Sequence, residues 1–123
     1  MSAPVRLFVY GSLMPGHEAW PLLEIWAEGE ARADTVPGVL YDTGRGYPAA
    51  TFDGAPASVV HGFVVDLDPE RATDALDTLD RYEAEEYDRI VVRTAGGVDA
   101  HTYHWTASLH GCRPVPDGMW HVA

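Results

Sequence analysis

A chain of 123 residues with 46% hydrophobic side chains suits one domain, residues 1–123, and is too apolar for a disordered tail. Nineteen acidic side chains against eight basic give a formal net charge of -11, which sets the surface against nucleic acid and anionic membrane, because phosphates are repelled. The single cysteine, Cys112, excludes an internal disulfide, and no apolar stretch approaches the length that spans a bilayer. Met1-Ser2-Ala3-Pro4 leads directly into a strand-like run and does not read as a signal peptide, so a cytoplasmic location is the expectation.

Val5 to Tyr10 reads as a first strand, nearly continuous in apolar residues, as for a strand buried on both faces. Gly11 ends it, and Met14-Pro15-Gly16 forms a turn. Trp20, Leu22, Leu23 and Trp26 have helical spacing within a helix expected over about His17 to Ala27, with Pro21 limiting or kinking it. Glu30 to Tyr41 reads as two short strands divided near Pro37-Gly38, and Ala49 to Phe52 as another. Ser58 to Leu67 is the strongest strand pattern. Asp68-Pro69 announces a helix, with Asp as N-cap and Pro at the first helical position. Ala72, Ala75, Leu76 and Leu79 then form an amphipathic stripe, and the helix is expected to end near Arg81. Tyr87 to Thr94 and Val98 to Thr106 read as strands joined by Ala95-Gly96-Gly97 in a hairpin. Many strands and two main helices predict an α+β domain with a mixed, mostly antiparallel sheet curled toward a barrel.

Two stretches can carry chemistry. In Tyr10-Gly11-Ser12-Leu13 a glycine follows a buried strand, so a ligand can approach the backbone closely and successive N–H groups can hold an anion. The pattern is neither a P-loop nor a nucleophile elbow, and alone it reads first as a strand ending in a turn. In Leu79-Asp80-Arg81-Tyr82-Glu83-Ala84-Glu85-Glu86-Tyr87 the acidic residues stand at a helix C-terminus, mildly against the helix dipole. Glu83 lies four residues beyond Leu79 and joins the core-facing stripe if the helix continues. Directed inward, it would be desolvated and suited to general-base work; by pattern alone it reads first as a solvated carboxylate. The six histidines form no helical pair or zinc-type cluster, so no metal site is expected, and Ser12 has no His partner nearby in the sequence. No pattern in the chain sets an oligomeric state.

In order along the chain, Phe8-Val9-Tyr10-Gly11-Ser12-Leu13-Met14-Pro15-Gly16, Gly38-Val39-Leu40-Tyr41-Asp42 with Tyr47-Pro48-Ala49, Val60-His61-Gly62-Phe63-Val64, Leu79-Asp80-Arg81-Tyr82-Glu83, Tyr87-Asp88-Arg89 and Pro116-Asp117-Gly118-Met119-Trp120 resemble the γ-glutamylcyclotransferase-like family, which includes γ-glutamylamine cyclotransferases. The resemblance implies a small α+β barrel with a cavity at one end. It implies that Tyr10, Gly11, Ser12 and Leu13 bind a substrate α-carboxylate through backbone N–H groups, that Glu83 is the general base, and that Tyr87 closes the pocket with Tyr47 also at the substrate. The partner would be a small γ-glutamyl molecule, converted without metal or other cofactor to 5-oxoproline and a free amine. Glu85 and Glu86 depart from the pattern, standing where a small residue is more usual. Two other readings fit the same residues: a non-catalytic module that binds a small carboxylate, and removal of a γ-glutamyl group within a biosynthetic pathway.

Overall fold

The computed structural model describes residues 5–52, 58–83 and 85–121; Met1 to Pro4, read above as the lead into the first strand, lie outside them. The first strand, β1, is Val5–Val9. Its side chains alternate between two buried clusters, as a strand's must. Leu7 and Val9 join one cluster, and Phe8, followed by Tyr10, joins the other. The expectation of burial on both faces holds.

A short helix α1, Trp20–Glu24, follows. It is less than half the expected helix, for two reasons. The loop before it closes its own turns, with His17 N donating to Met14 O and Ala19 N to Ser12 O, and Pro21 sits in the first turn. Beyond it Ala27 is drawn into a long strand, β2, Ala27–Pro37, pairing with Leu67. Two short strands, β3 at Val39–Asp42 and β4 at Pro48–Thr51, precede the long β5, Val59–Leu67. The chain then turns at Asp68, whose side chain accepts from Glu70 N and whose carbonyl accepts from Arg71 N. Helix α2 therefore begins at Ala72, later than the Asp-Pro pair implied, and runs to Glu83, two residues beyond the expected end. The hairpin of β6, Tyr87–Arg93, and β7, Asp99–Trp105, pairs Tyr87 with Trp105, and a two-residue β8 at Arg113–Pro114 closes the order.

The sheet order is β2-β5-β1-β7-β6 in one five-stranded sheet and β4-β3-β8 in a second. Among the described residues β1 and β7 pair in parallel and the remaining pairs are antiparallel. The α+β class and mostly antiparallel sheet are as expected, but the barrel is open. The chain leaves the first sheet at Gly38, which passes so close to Thr51 O that an added Cβ would lie 2.6 Å from it, and enters the second sheet there. Helix α2 lays Ala72, Ala75, Leu76 and Leu79 on the Leu7–Val9–Val65–Leu67 face, while the second sheet contributes Leu40 and Ala50 to the core on the other side. β1 is thus covered on both sides, and its C-terminal end opens where the two layers diverge. No helix among the described residues is long and apolar enough to cross a membrane.

Candidate active site

A cavity of about 310 Å3 lies at that end of β1. It is lined by the β1 exit from Phe8 to Leu13, by Tyr47 and Pro48, by Tyr82 and Glu83 from the last turn of α2, by Glu86 and Tyr87, and by Tyr103 of β7. The structure therefore brings together every residue that the sequence proposed for the site: Tyr10, Gly11, Ser12, Leu13, Tyr47, Glu83 and Tyr87.

The β1 exit is shaped by its own hydrogen bonds. Met14 N donates to Gly11 O at 3.0 Å, and Ser12 O accepts from Ala19 N at 2.9 Å. The carbonyls are thereby used within the loop, while among the described residues the N–H groups of Ser12 and Leu13 have no backbone acceptor. Unpaired N–H groups beside a cavity suit an anion. Gly11 packs against the Pro48 ring, where a Cβ would come to 2.9 Å of Cγ, so a side chain at position 11 would push into the cavity wall. Ser12 Oγ and the Tyr82 hydroxyl share a hydrogen bond of 2.9 Å across the mouth.

Glu83 is half-buried at the end of the apolar stripe of α2. Among the described residues its carboxylate has no hydrogen-bond partner, and desolvation pushes it up to about 7. The last turn of α2 is tied to the hairpin by Arg89, whose Nε donates to Asp80 Oδ1 at 2.9 Å and whose Nη2 donates to Oδ2 at 3.3 Å. This two-pronged pair anchors the helix end that carries Glu83. The hydroxyl of Tyr103 also donates to Asp80 Oδ1, at 2.8 Å. Burial is the main cause that raises the phenols of Tyr10, Tyr87 and Tyr103 above their ordinary value, with the charge of Glu83 adding to it in each case, so all three stay protonated.

Glu86 is engaged on the opposite wall. Its Oε2 accepts from Arg45 Nη2 at 2.9 Å and its Oε1 from the Tyr47 hydroxyl at 3.2 Å. Arg45 in turn lies over the Tyr47 and Trp105 rings. Glu85 is exposed. Among the described residues no group of three His, Cys, Asp or Glu side chains is placed to hold a metal ion.

The motif stretches already contain Asp80, Tyr82 and Pro48, but their local pattern gives them no role in the site. Tyr103 carries no local signal at all. Its place follows from the β1–β7 pairing, which sets Leu7 beside His101 and brings Tyr103 beside Tyr10.

The raised carboxyl has a consequence for folding. In the fold Glu83 keeps its proton up to about pH 7, against an ordinary value of 4.5. Its contribution to stability is whole below about pH 4.5 and is lost as the pH rises through 7, because over that window the native state binds more protons than the unfolded chain. Urea unfolding of Glu83→Gln and wild type should therefore show the variant gaining stability relative to wild type between pH 4.5 and 8. Parallel pH trends in the two proteins would contradict the placement of Glu83.

A model of the family described as "Gamma-glutamyl cyclotransferase, AIG2-like" matches residues 7–122. Among curated proteins none matches. Several solved structures share the fold. YkqA from Bacillus subtilis superposes with a TM-score of 0.74 at 21% identity, covering 96% of this chain; this chain spans only 40% of that protein. The ytfP protein from Escherichia coli gives 0.63 at 30% identity, covering 94% of this chain and 96% of its own. An AIG2-like protein from Mus musculus gives 0.67 at 18% identity, covering 86% and 79% respectively.

Proposed function

The chain belongs to the gamma-glutamyl cyclotransferase, AIG2-like family, and from that premise we propose that it converts a γ-glutamyl amine or peptide into 5-oxoproline and the free amine. The observation that carries this reading is the pairing, in one cavity, of backbone N–H groups at Ser12 and Leu13 with the desolvated carboxylate of Glu83, none of which has a hydrogen-bond partner among the described residues.

The parts fit the reaction. The substrate's α-carboxylate rests against the Gly11–Leu13 backbone, which holds the glutamyl group with its α-amine toward Glu83. Glu83 takes one proton from the α-ammonium. The freed amine attacks the γ-carbonyl carbon of the same molecule, and the bond to the leaving amine breaks as Glu83 returns the proton to it; the attacking nitrogen gives up its second proton as the five-membered lactam forms, and that proton leaves on the departing amine as its ammonium. The nucleophile belongs to the substrate, so Ser12 serves the cradle and forms no acyl-enzyme. Because the attack is intramolecular, fixing the glutamyl conformation supplies much of the rate. A carboxyl near 7 is matched to this task, since a substantial share of it is ionised at neutral pH and it is basic enough to accept a proton. Tyr87 and Tyr47 flank the γ-amide side of the cavity and shield the reacting carbonyl from water.

The test is a panel of γ-glutamyl amines and γ-glutamyl dipeptides, read by mass spectrometry for 5-oxoproline and by amine release. Turnover of at least one class supports the reading. Saturable binding of the whole panel without product would sink it in favour of a binding module.

A further inference from the structure

Glu83 stands among phenols, and a phenol O–H is a natural donor to a carboxylate. Tyr10 reaches the cavity from the end of β1, Tyr87 from the start of β6 and Tyr103 from β7. Each has one proton to donate, and each gives it elsewhere. Tyr10 donates to Tyr103 O, Tyr87 donates to Pro48 O, and Tyr103 donates to Asp80 Oδ1. The other polar groups nearby are also engaged. Tyr82 and Ser12 bond each other, Tyr47 and Arg45 bond Glu86, and Arg89 bonds Asp80 and contacts His101 Nδ1 at 3.1 Å.

We propose that Asp80 is a positioning residue for the reaction: it holds the Tyr103 hydroxyl, and the Arg89 guanidinium with it, turned away from Glu83, so that the base is left without a donor. This deepens the proposed function and rests on it. A hydrogen bond donated to an ionised carboxylate lowers its proton affinity, and an approaching cation does the same. Burial alone would desolvate Glu83, but a released phenol in the same cavity would undo the effect. Two of the three phenols are restrained by backbone carbonyls, which no side-chain substitution removes. Asp80 is the one acceptor supplied by a side chain, so it is the point where the arrangement can be broken. The second residue of the Leu79–Glu83 stretch thereby acquires a reason that anchoring the helix does not supply.

The test reads Glu83 directly. Its side-chain carboxyl carbon is followed by 13C NMR against pH, with the resonance assigned by its absence in Glu83→Gln. The expected midpoint is about 7 in wild type and lower by about one pH unit in Asp80→Ala, a shift typical of a gained hydrogen bond. Adding Tyr103→Phe to Asp80→Ala should recover most of the shift, because the phenol that the Asp80 substitution releases is gone while Tyr10 and Tyr87 stay on their backbone carbonyls. If Asp80→Ala does not fold, Asp80→Asn serves instead, since its amide is a weaker acceptor; a smaller shift in the same direction is expected, again reversed by Tyr103→Phe. A midpoint unchanged in the Asp80 variant overturns the proposal, and so does a shift that persists fully in the double variant. The acid limb of kcat/KM for 5-oxoproline release should move with the NMR midpoint. The two readouts fail separately: NMR shifts without product in any protein would leave the tuning intact and sink the proposed reaction, whereas product with no NMR shift would do the reverse.

Discussion

Glu83→Gln is expected to lower kcat by about 10²–10⁴-fold, the range typical for loss of a positioned general base, while leaving substrate affinity within a few-fold of wild type. The amide matches the carboxylate in size, so the end of α2 should keep its place, and the Asp80–Arg89 pair that anchors it is untouched. The Gly11–Leu13 backbone is also untouched, so the α-carboxylate still has its donors. The expected signature is thus a kcat effect with little change in KM where binding is in rapid equilibrium, checked by steady-state kinetics and by calorimetry with the same substrate. A variant that turns over at the wild-type rate would remove Glu83 from the mechanism. A variant that loses binding and turnover together would instead place the residue in substrate recognition.

Gly62→Ala should have a large effect on stability. Strands β1 and β5 pair with Val9 opposite Phe63, and the chain of β5 continues beneath the end of β1. A Cβ at position 62 would lie 2.1 Å from Val9 O and 2.9 Å from Phe8 Cζ. The nearer atom belongs to the backbone of a central strand and cannot swing aside. Relief requires the strands to part just before the chain enters the Tyr10–Leu13 loop. Overpacking of this kind costs about 1–3 kcal/mol and at times more. For a domain of this size each kcal/mol lowers Tm by about 4 °C. Thermal unfolding followed by circular dichroism should show a Tm lower by several degrees, and kcat/KM of the remaining folded protein should fall because the cradle moves with Val9. A Tm within about a degree of wild type would show that the close approach is not maintained.

The elements with strong local patterns were legible in the sequence, and those decided by long-range pairing were not. β1 and β5 were readable because continuous apolar runs have few other fates, and the stripe of α2 because its four apolar positions recur at helical spacing. The α1 region misleads because Trp20, Leu22 and Leu23 satisfy a helical period, while Trp26 lies in the turn after α1 and Ala27 starts β2, which only pairing with Leu67 makes plain. The open barrel was hidden for a similar reason. Strand count alone does not reveal that the chain changes sheets at Gly38.

The site divides in the same way. The Tyr10–Leu13 turn and Glu83 were marked by position relative to a strand end and a helix stripe, and the family resemblance supplied the link between them. That Glu83 is reached by α2 depends on the helix continuing two residues past its expected end. Tyr103 and the role of Asp80 depend on β7 lying parallel beside β1, a pairing between residues almost a hundred apart. Glu86 was visible as one of several carboxylates, but its partner Arg45 stands 41 positions away and had no local mark.

The central claim, that the cavity drives an intramolecular cyclisation, is tested most directly by product identity in 18O-labelled water. With a γ-glutamyl amine that the protein accepts, the account predicts 5-oxoproline free of solvent oxygen, in equal amount with released amine, since the ring closes through the substrate's own nitrogen. Glutamate carrying one solvent oxygen would mean that water is the nucleophile, and would contradict it.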